Sequence, residues 1–145
     1  MQLTRAADYA VRVMVHLAGL PPGTRSSRAN LAEEAECPEQ FLSKVLQSLT
    51  RAGLVASHRG NTGGFELSSD RRNASVLQVI EAVEGPVRLN LCLTGPHACE
   101  RQNWCPVHAV WAEAQAAMSG VLRQATISAL AEEVALVRVP VDVPR

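Results

Sequence analysis

The chain has 145 residues, 47% of them apolar, enough for one compact domain with an appended helix. Lys plus Arg and Asp plus Glu number 14 each, so the net charge is zero and no overall basic character marks a nucleic-acid binder. No apolar run approaches the roughly 20 residues of a membrane span. The opening Met1-Gln2-Leu3-Thr4-Arg5 lacks the pattern of a signal peptide, which predicts a cytoplasmic protein with reduced cysteines and no membrane partner.

Thr4 to about Leu20 reads as a helix capped by Thr4 and stopped by Pro21-Pro22-Gly23, with Ala10, Met14, Leu17 and Ala18 on its apolar face. A second, short helix starts at Ser26 or Ser27 and carries Leu31, Ala32 and Ala35. The third has Pro38 in its first turn, and Phe41, Leu42, Val45, Leu46 and Leu49 recur at helical spacing toward the core. Gly53 ends it. Leu54 to His58 and Phe65 to Leu67 read as two strands joined by Arg59-Gly60-Asn61-Thr62-Gly63-Gly64, a turn of residues that tolerate positive φ. Three helices followed by a β-hairpin is the order of a winged helix-turn-helix. The fold class expected is therefore mainly α with a small β-hairpin.

Ser75-Val76-Leu77-Gln78 has the form of a capping box opening a fourth helix, closed by Gly85-Pro86. From Pro106 a longer helix carries Val107, Trp111, Ala114, Met118, Val121 and Ala125 at steps of four and three. That stripe fits a helix-to-helix dimer seam, with an ordinary core helix as the other reading. Thr126 or Ser128 caps a last short helix through Glu133. The organisation expected is a winged-helix unit over 1–85, a cysteine-rich loop over 86–105, a dimerisation helix with its short follower over 106–135, and a tail over 136–145, extended or frayed from Val137.

Two groups of residues carry chemistry. On the polar face of the third helix, Glu39, Gln40, Ser43 and Lys44 sit where a helix-turn-helix meets base edges. Arg59 at the tip of the hairpin suits a narrow A·T minor groove, Gly60, Gly63 and Gly64 let the backbone approach phosphates, and Asn61 is a further DNA-binding candidate of this turn. Arg5, Arg25, Arg28 and Arg51 are candidates for phosphate contacts. Residues 1–72 hold nine Lys and Arg against seven acids, an excess too small to decide the matter, so placement has to carry it.

The second group is Cys92, Cys99 and Cys105, with His108 three residues after the last. Structural zinc knuckles use gaps of two to four residues, whereas six and five residues separate these cysteines. Such spacing suits a wider iron–sulfur centre held by a loose loop. Cys37, beside Pro38, reads as a small packed residue. No nucleophile–base pair, phosphate loop or paired carboxylates stand out, so no enzyme is expected.

Met1-Gln2-Leu3-Thr4 with Asp8-Tyr9-Ala10-Val11-Arg12, the run Leu49 to Val55, the hairpin Arg59 to Leu67 and the three-cysteine loop together resemble the IscR/NsrR-type winged-helix regulators. The resemblance runs from Met1 to about Glu133. It implies a homodimeric transcription regulator, a repressor in the usual case, on promoter DNA with an inverted repeat, controlled by an iron–sulfur cluster. IscR-like members bind a 2Fe–2S cluster through three cysteines and a histidine spaced as in Cys105-Pro106-Val107-His108. NsrR-like members, which sense nitric oxide, bind a 4Fe–4S cluster with an aspartate of the partner subunit, and Asp8 matches that position. Both fourth ligands are thus available. A local imidazole costs little extra loop closure and is softer than a carboxylate, which favours His108 and 2Fe–2S. The chain departs from IscR-like members in having one more residue between Cys92 and Cys99, and in Ser43 where they carry glutamate. The alternative is a zinc-bound or metal-free thiol-sensing regulator, and a further one is an iron–sulfur carrier.

Overall fold

The computed structural model describes residues 2–138. Helix α1 (Arg5–Gly19) is capped by the Thr4 hydroxyl, which accepts from the Ala7 amide, and it turns Ala7, Ala10, Val13, Met14, Leu17 and Ala18 inward. Ser27 caps α2 (Arg28–Glu34), and α3 (Glu39–Arg51) follows after Pro38, which sits just outside its first turn. Leu42, Val45, Leu46 and Leu49 of α3 are buried. Phe41, expected to point to the core, is instead exposed at its rim, edge-on to Tyr9 with ring centroids 5.6 Å apart. One apolar residue more than the buried stripe of α3 can hold falls at the margin, where an aromatic partner on α1 shields it.

After a left-handed turn at Gly53, β1 (Val55–His58) pairs antiparallel with β2 (Gly64–Leu67), Val55 opposite Leu67 and His58 opposite Gly64. A short bridge ties this wing to the start of α2: the Ser26 and Phe65 amides each donate to the other's carbonyl at 2.8 Å. At Gly63 a Cβ would lie 2.4 Å from the His58 carbonyl, so the tight wing admits no side chain there. Helices α1 to α3, the wing and α4 (Val76–Glu84) enclose the main core, closed by Ile127 and Ala131 from α6 (Ile127–Val137). The capping box of Ser75 and Gln78 forms in both directions.

Helix α5 (Pro106–Gln124) is different in kind: none of its residues is buried. Its inner side reaches a small second cluster, where Met118 and Leu122 pack on Ala7, Leu77, Ile80 and Val87. Val110 (57% exposed) and Val121 (68% exposed) are largely open, and Val107 and Trp111 are partly exposed. The expected stripe is therefore split, with Met118 turned to the protein's own α4, Ala125 half-buried, and Val107, Trp111, Ala114 and Val121 exposed to differing degrees. Residues 136 and 137, read as the beginning of the tail, form the last turn of α6, because no helix breaker stands before Pro140. The tail from residue 139 onward lies outside the described residues.

Candidate nucleic-acid interface and thiol-rich loop

The polar face of α3 and the wing border one hollow. It is lined by Arg28 of α2, by Ser43, Leu46, Gln47, Thr50 and Arg51 of α3, and by Ser57 and Phe65 of the wing. Gln40 and Lys44 are exposed on α3, and Arg59, Gly60 and Asn61 are exposed at the wing tip. Glu39 and Ser43 are not free. The Arg28 Nε donates to the Glu39 Oε1 at 2.9 Å, and the Ser43 hydroxyl donates to the Glu39 carbonyl at 3.2 Å while receiving the Arg28 Nη1 at 3.4 Å. Arg25 grips the wing by donating from Nη1 to the Thr62 carbonyl at 3.1 Å. Sequence reading missed Gln47, Thr50 and Ser57 as members of this surface. Helical spacing held the signal for the first two, since Gln47 lies four residues and Thr50 seven residues after Ser43.

The thiol-rich loop leaves α4 at Gly85 and contains a single 3-10 turn, Leu91–Leu93. Its backbone hydrogen bonds are short-range, among them Gln102 to Cys99 at 3.1 Å and Cys105 to Arg101 at 2.8 Å. Three anchors hold it to the body: the Val87 side chain in the second cluster, the Val87 amide donating to the Glu81 Oε1 of α4 at 3.5 Å, and the Leu89 amide donating to the Gln115 Oε1 of α5 at 2.9 Å. Cys92, Cys99 and Cys105 are half-buried, and none is in a disulfide. Cys92 and His108 share a shallow hollow with Leu93, Gly95, Pro96 and Gln102. The His108 Nδ1 is buried there without a hydrogen-bond partner among the described residues. Cys99 and Cys105 do not line this hollow, and no three His, Cys, Asp or Glu side chains among the described residues converge as one metal-ion site.

The donors suit an iron–sulfur cluster chemically: three unbridged thiols within one loop, and an imidazole whose buried nitrogen lacks a partner. Asp8 lies in the first turn of α1, exposed and ion-paired with Arg12 at 2.9 Å. Cys37 stands apart, buried under α3, its thiol donating to the Pro38 carbonyl at 3.4 Å. Burial pushes that thiol above the ordinary range. It is the packed residue its sequence context implied.

A three-helix core with a two-stranded wing beside the polar face of its third helix defines a winged-helix DNA-binding protein. Residues 3–133 match the Rrf2 family, described as an iron-dependent transcriptional regulator, and the chain belongs to that family. A candidate HTH-type transcriptional regulator of Mycobacterium tuberculosis is 33% identical over 138 residues, covering 90% of this chain and 81% of the relative. The HTH-type transcriptional regulator IscR of Photobacterium profundum is 32% identical over 130 residues, covering 90% and 75%. Among solved structures, CymR, the global cysteine regulator of B. subtilis, superposes with a TM-score of 0.73 at 25% identity, covering 92% of this chain and 98% of that one. The protein is a DNA-binding transcription regulator and not an enzyme. No helix among the described residues is long and apolar enough to cross a membrane.

Proposed function

We propose that the protein is a homodimeric repressor of promoters with an inverted repeat, whose DNA affinity is set by an iron–sulfur cluster on Cys92, Cys99 and Cys105. The observation that carries the DNA half of this reading is the common hollow between α3 and the wing, flanked by Gln40, Lys44, Arg51 and Arg59. Two such faces related by a two-fold axis meet half-sites about one helical turn apart. The uncovered apolar side of α5 supports the second copy as its cover.

His108 would complete the ligand set, favouring 2Fe–2S; Asp8 of the partner subunit is the other candidate and would favour 4Fe–4S. When bound, such a cluster supplies chemistry sensitive to oxidants and nitric oxide. The chain's own part is to transmit a change in the loop. Val87 packs against Ala7 of α1, and Leu89 is held by Gln115 of α5, so tension in the loop reaches the DNA-binding half and the dimer helix together.

Anaerobic purification with iron and sulfide counts and visible spectra tests this. Single Ala changes at Cys92, Cys99 and Cys105 should abolish iron retention, while Cys37→Ala should keep it. Loss of iron from the Cys37 variant alone would refute the ligand set. Resonance Raman spectra of His108→Ala and Asp8→Ala then choose between the two fourth ligands, and a 4Fe–4S spectrum altered only by the Asp8 change would overturn His108. A second reading, control by the thiols without a cluster, draws support from the likeness to CymR and from the separation of the thiols. A colourless, iron-free protein whose DNA binding follows thiol oxidation would establish it.

A further inference from the structure

We propose that Arg28, the first residue of α2 and outside the recognition helix, is a specificity-determining residue that reads a guanine in the major groove. This rests on the reading of α3 as the helix that enters that groove.

The guanidinium is held at two of its three nitrogens. Its Nε is fixed by the Glu39 Oε1 at 2.9 Å, and its Nη1 reaches the Ser43 hydroxyl, itself anchored on the Glu39 carbonyl. Nη2 has no hydrogen-bond partner among the described residues. Stability does not account for this arrangement. Arg28 and Glu39 are 53% and 49% exposed, and pairs of that kind contribute roughly 0–1 kcal/mol.

Its position does account for it. Arg28 lines the hollow together with Ser43, Gln47 and Arg51, on the side that faces the wing. Glu39 opens α3, and the N-terminal residues of a recognition helix are those that reach base edges. Charge decides what the remaining donors contact. Phosphate binding draws on net positive charge and counterion release, and Glu39 cancels the charge of Arg28. The donors on Nη2 and the Nη1 hydrogen that Ser43 does not engage survive that cancellation, and guanine offers O6 and N7 as a matched pair of acceptors. Glu39 and Ser43 then act as positioning residues for Arg28. The recognition surface thus draws its guanine reader from α2, through a contact across two helices.

Selection from a library of duplexes with randomised half-sites, on the full chain purified anaerobically and on its iron-free form, tests this. Wild type should favour G·C at one position per half-site. Arg28→Ala and Arg28→Lys should both flatten that preference by about 5- to 100-fold, since Lys keeps the charge and loses the fork. Glu39→Gln should weaken the same preference and leave other positions unchanged. Arg28→Lys, which keeps the charge of the pair, should retain the salt dependence of wild type. Retention of the preference by Arg28→Lys would overturn the proposal. So would a uniform loss over all sequences with a shallower salt slope, the signature of a phosphate contact. Absence of any sequence selection by wild type would refute the reading of α3 itself, and the proposal with it.

Discussion

The winged-helix half and the half built from the thiol-rich loop and α5 solve opposite problems. In the first, α1 and α3 bury ten side chains between them, and α1, α2 and α4 each start on a hydroxyl cap. In the second, a 19-residue helix buries none, and the loop before it is held by one apolar side chain and two amides. A region that satisfies its own groups is stable alone and presents a fixed surface. A region that leaves apolar side chains, thiols and a buried imidazole nitrogen unmet depends on what binds it. A sensor needs both, a rigid reader and an element whose order responds to an added component.

The largest expected contrast is in stability. Leu46→Ala, at the centre of the core, should cost about 2–5 kcal/mol in urea unfolding of the iron-free protein. Cys99→Ala under the same conditions should change stability by no more than about 0.5 kcal/mol. Equal losses from both would erase the distinction between the two halves.

Next in size is the exposed side of α5. Trp111→Glu with Val121→Asp should weaken dimerisation by about 100-fold or more, because like charges would face each other across a two-fold seam. Sedimentation velocity reads this, and circular dichroism of the monomer should retain the winged-helix signal. A variant that remains dimeric at low concentration would assign the seam to another surface.

A smaller effect belongs to the wing. Arg59→Ala should reduce binding by about tenfold on sites with an A·T-rich flank, less on G·C variants, since a narrow A·T minor groove concentrates negative potential. Equal losses in titrations on both would remove Arg59 from minor-groove reading and leave it a phosphate contact.

The smallest is a pH effect at Cys37. Burial raises its thiol in the folded chain, so the unfolded chain loses this proton first as pH rises. Stability should therefore decline as pH climbs from the ordinary thiol range toward the raised native value, with no contribution from this group below that range. Urea midpoints measured across that alkaline range should show a shallower decline in Cys37→Ala. An unchanged slope would mean that the thiol is not desolvated.

Much of the first half was legible because its signals are local. Thr4, Ser27 and Ser75 each cap a helix through their own hydroxyl, and Gly53 and Gly63 stand where the backbone allows little else. The apolar period of α3 named four of its buried residues and erred only at Phe41, since a stripe's edge is set by the neighbour that covers it. The candidate site was less legible. Gln47 and Thr50 follow from helical spacing, whereas the Arg28–Glu39 pair joins residues eleven positions apart across a turn. No local pattern encodes that distance.

The sequence by itself determined the element order and the family, because caps, apolar periodicity and family motifs reside in consecutive residues, and it named the candidate soft donors. Only the tertiary structure decided that Met118 turns to α4 while Val110 and Val121 stay open, and that Cys92 and His108 border one hollow that Cys99 and Cys105 do not. It also decided that Glu39 and Ser43 serve Arg28. Those outcomes depend on how helices cross and which faces they cover, and packing between distant segments sets that geometry.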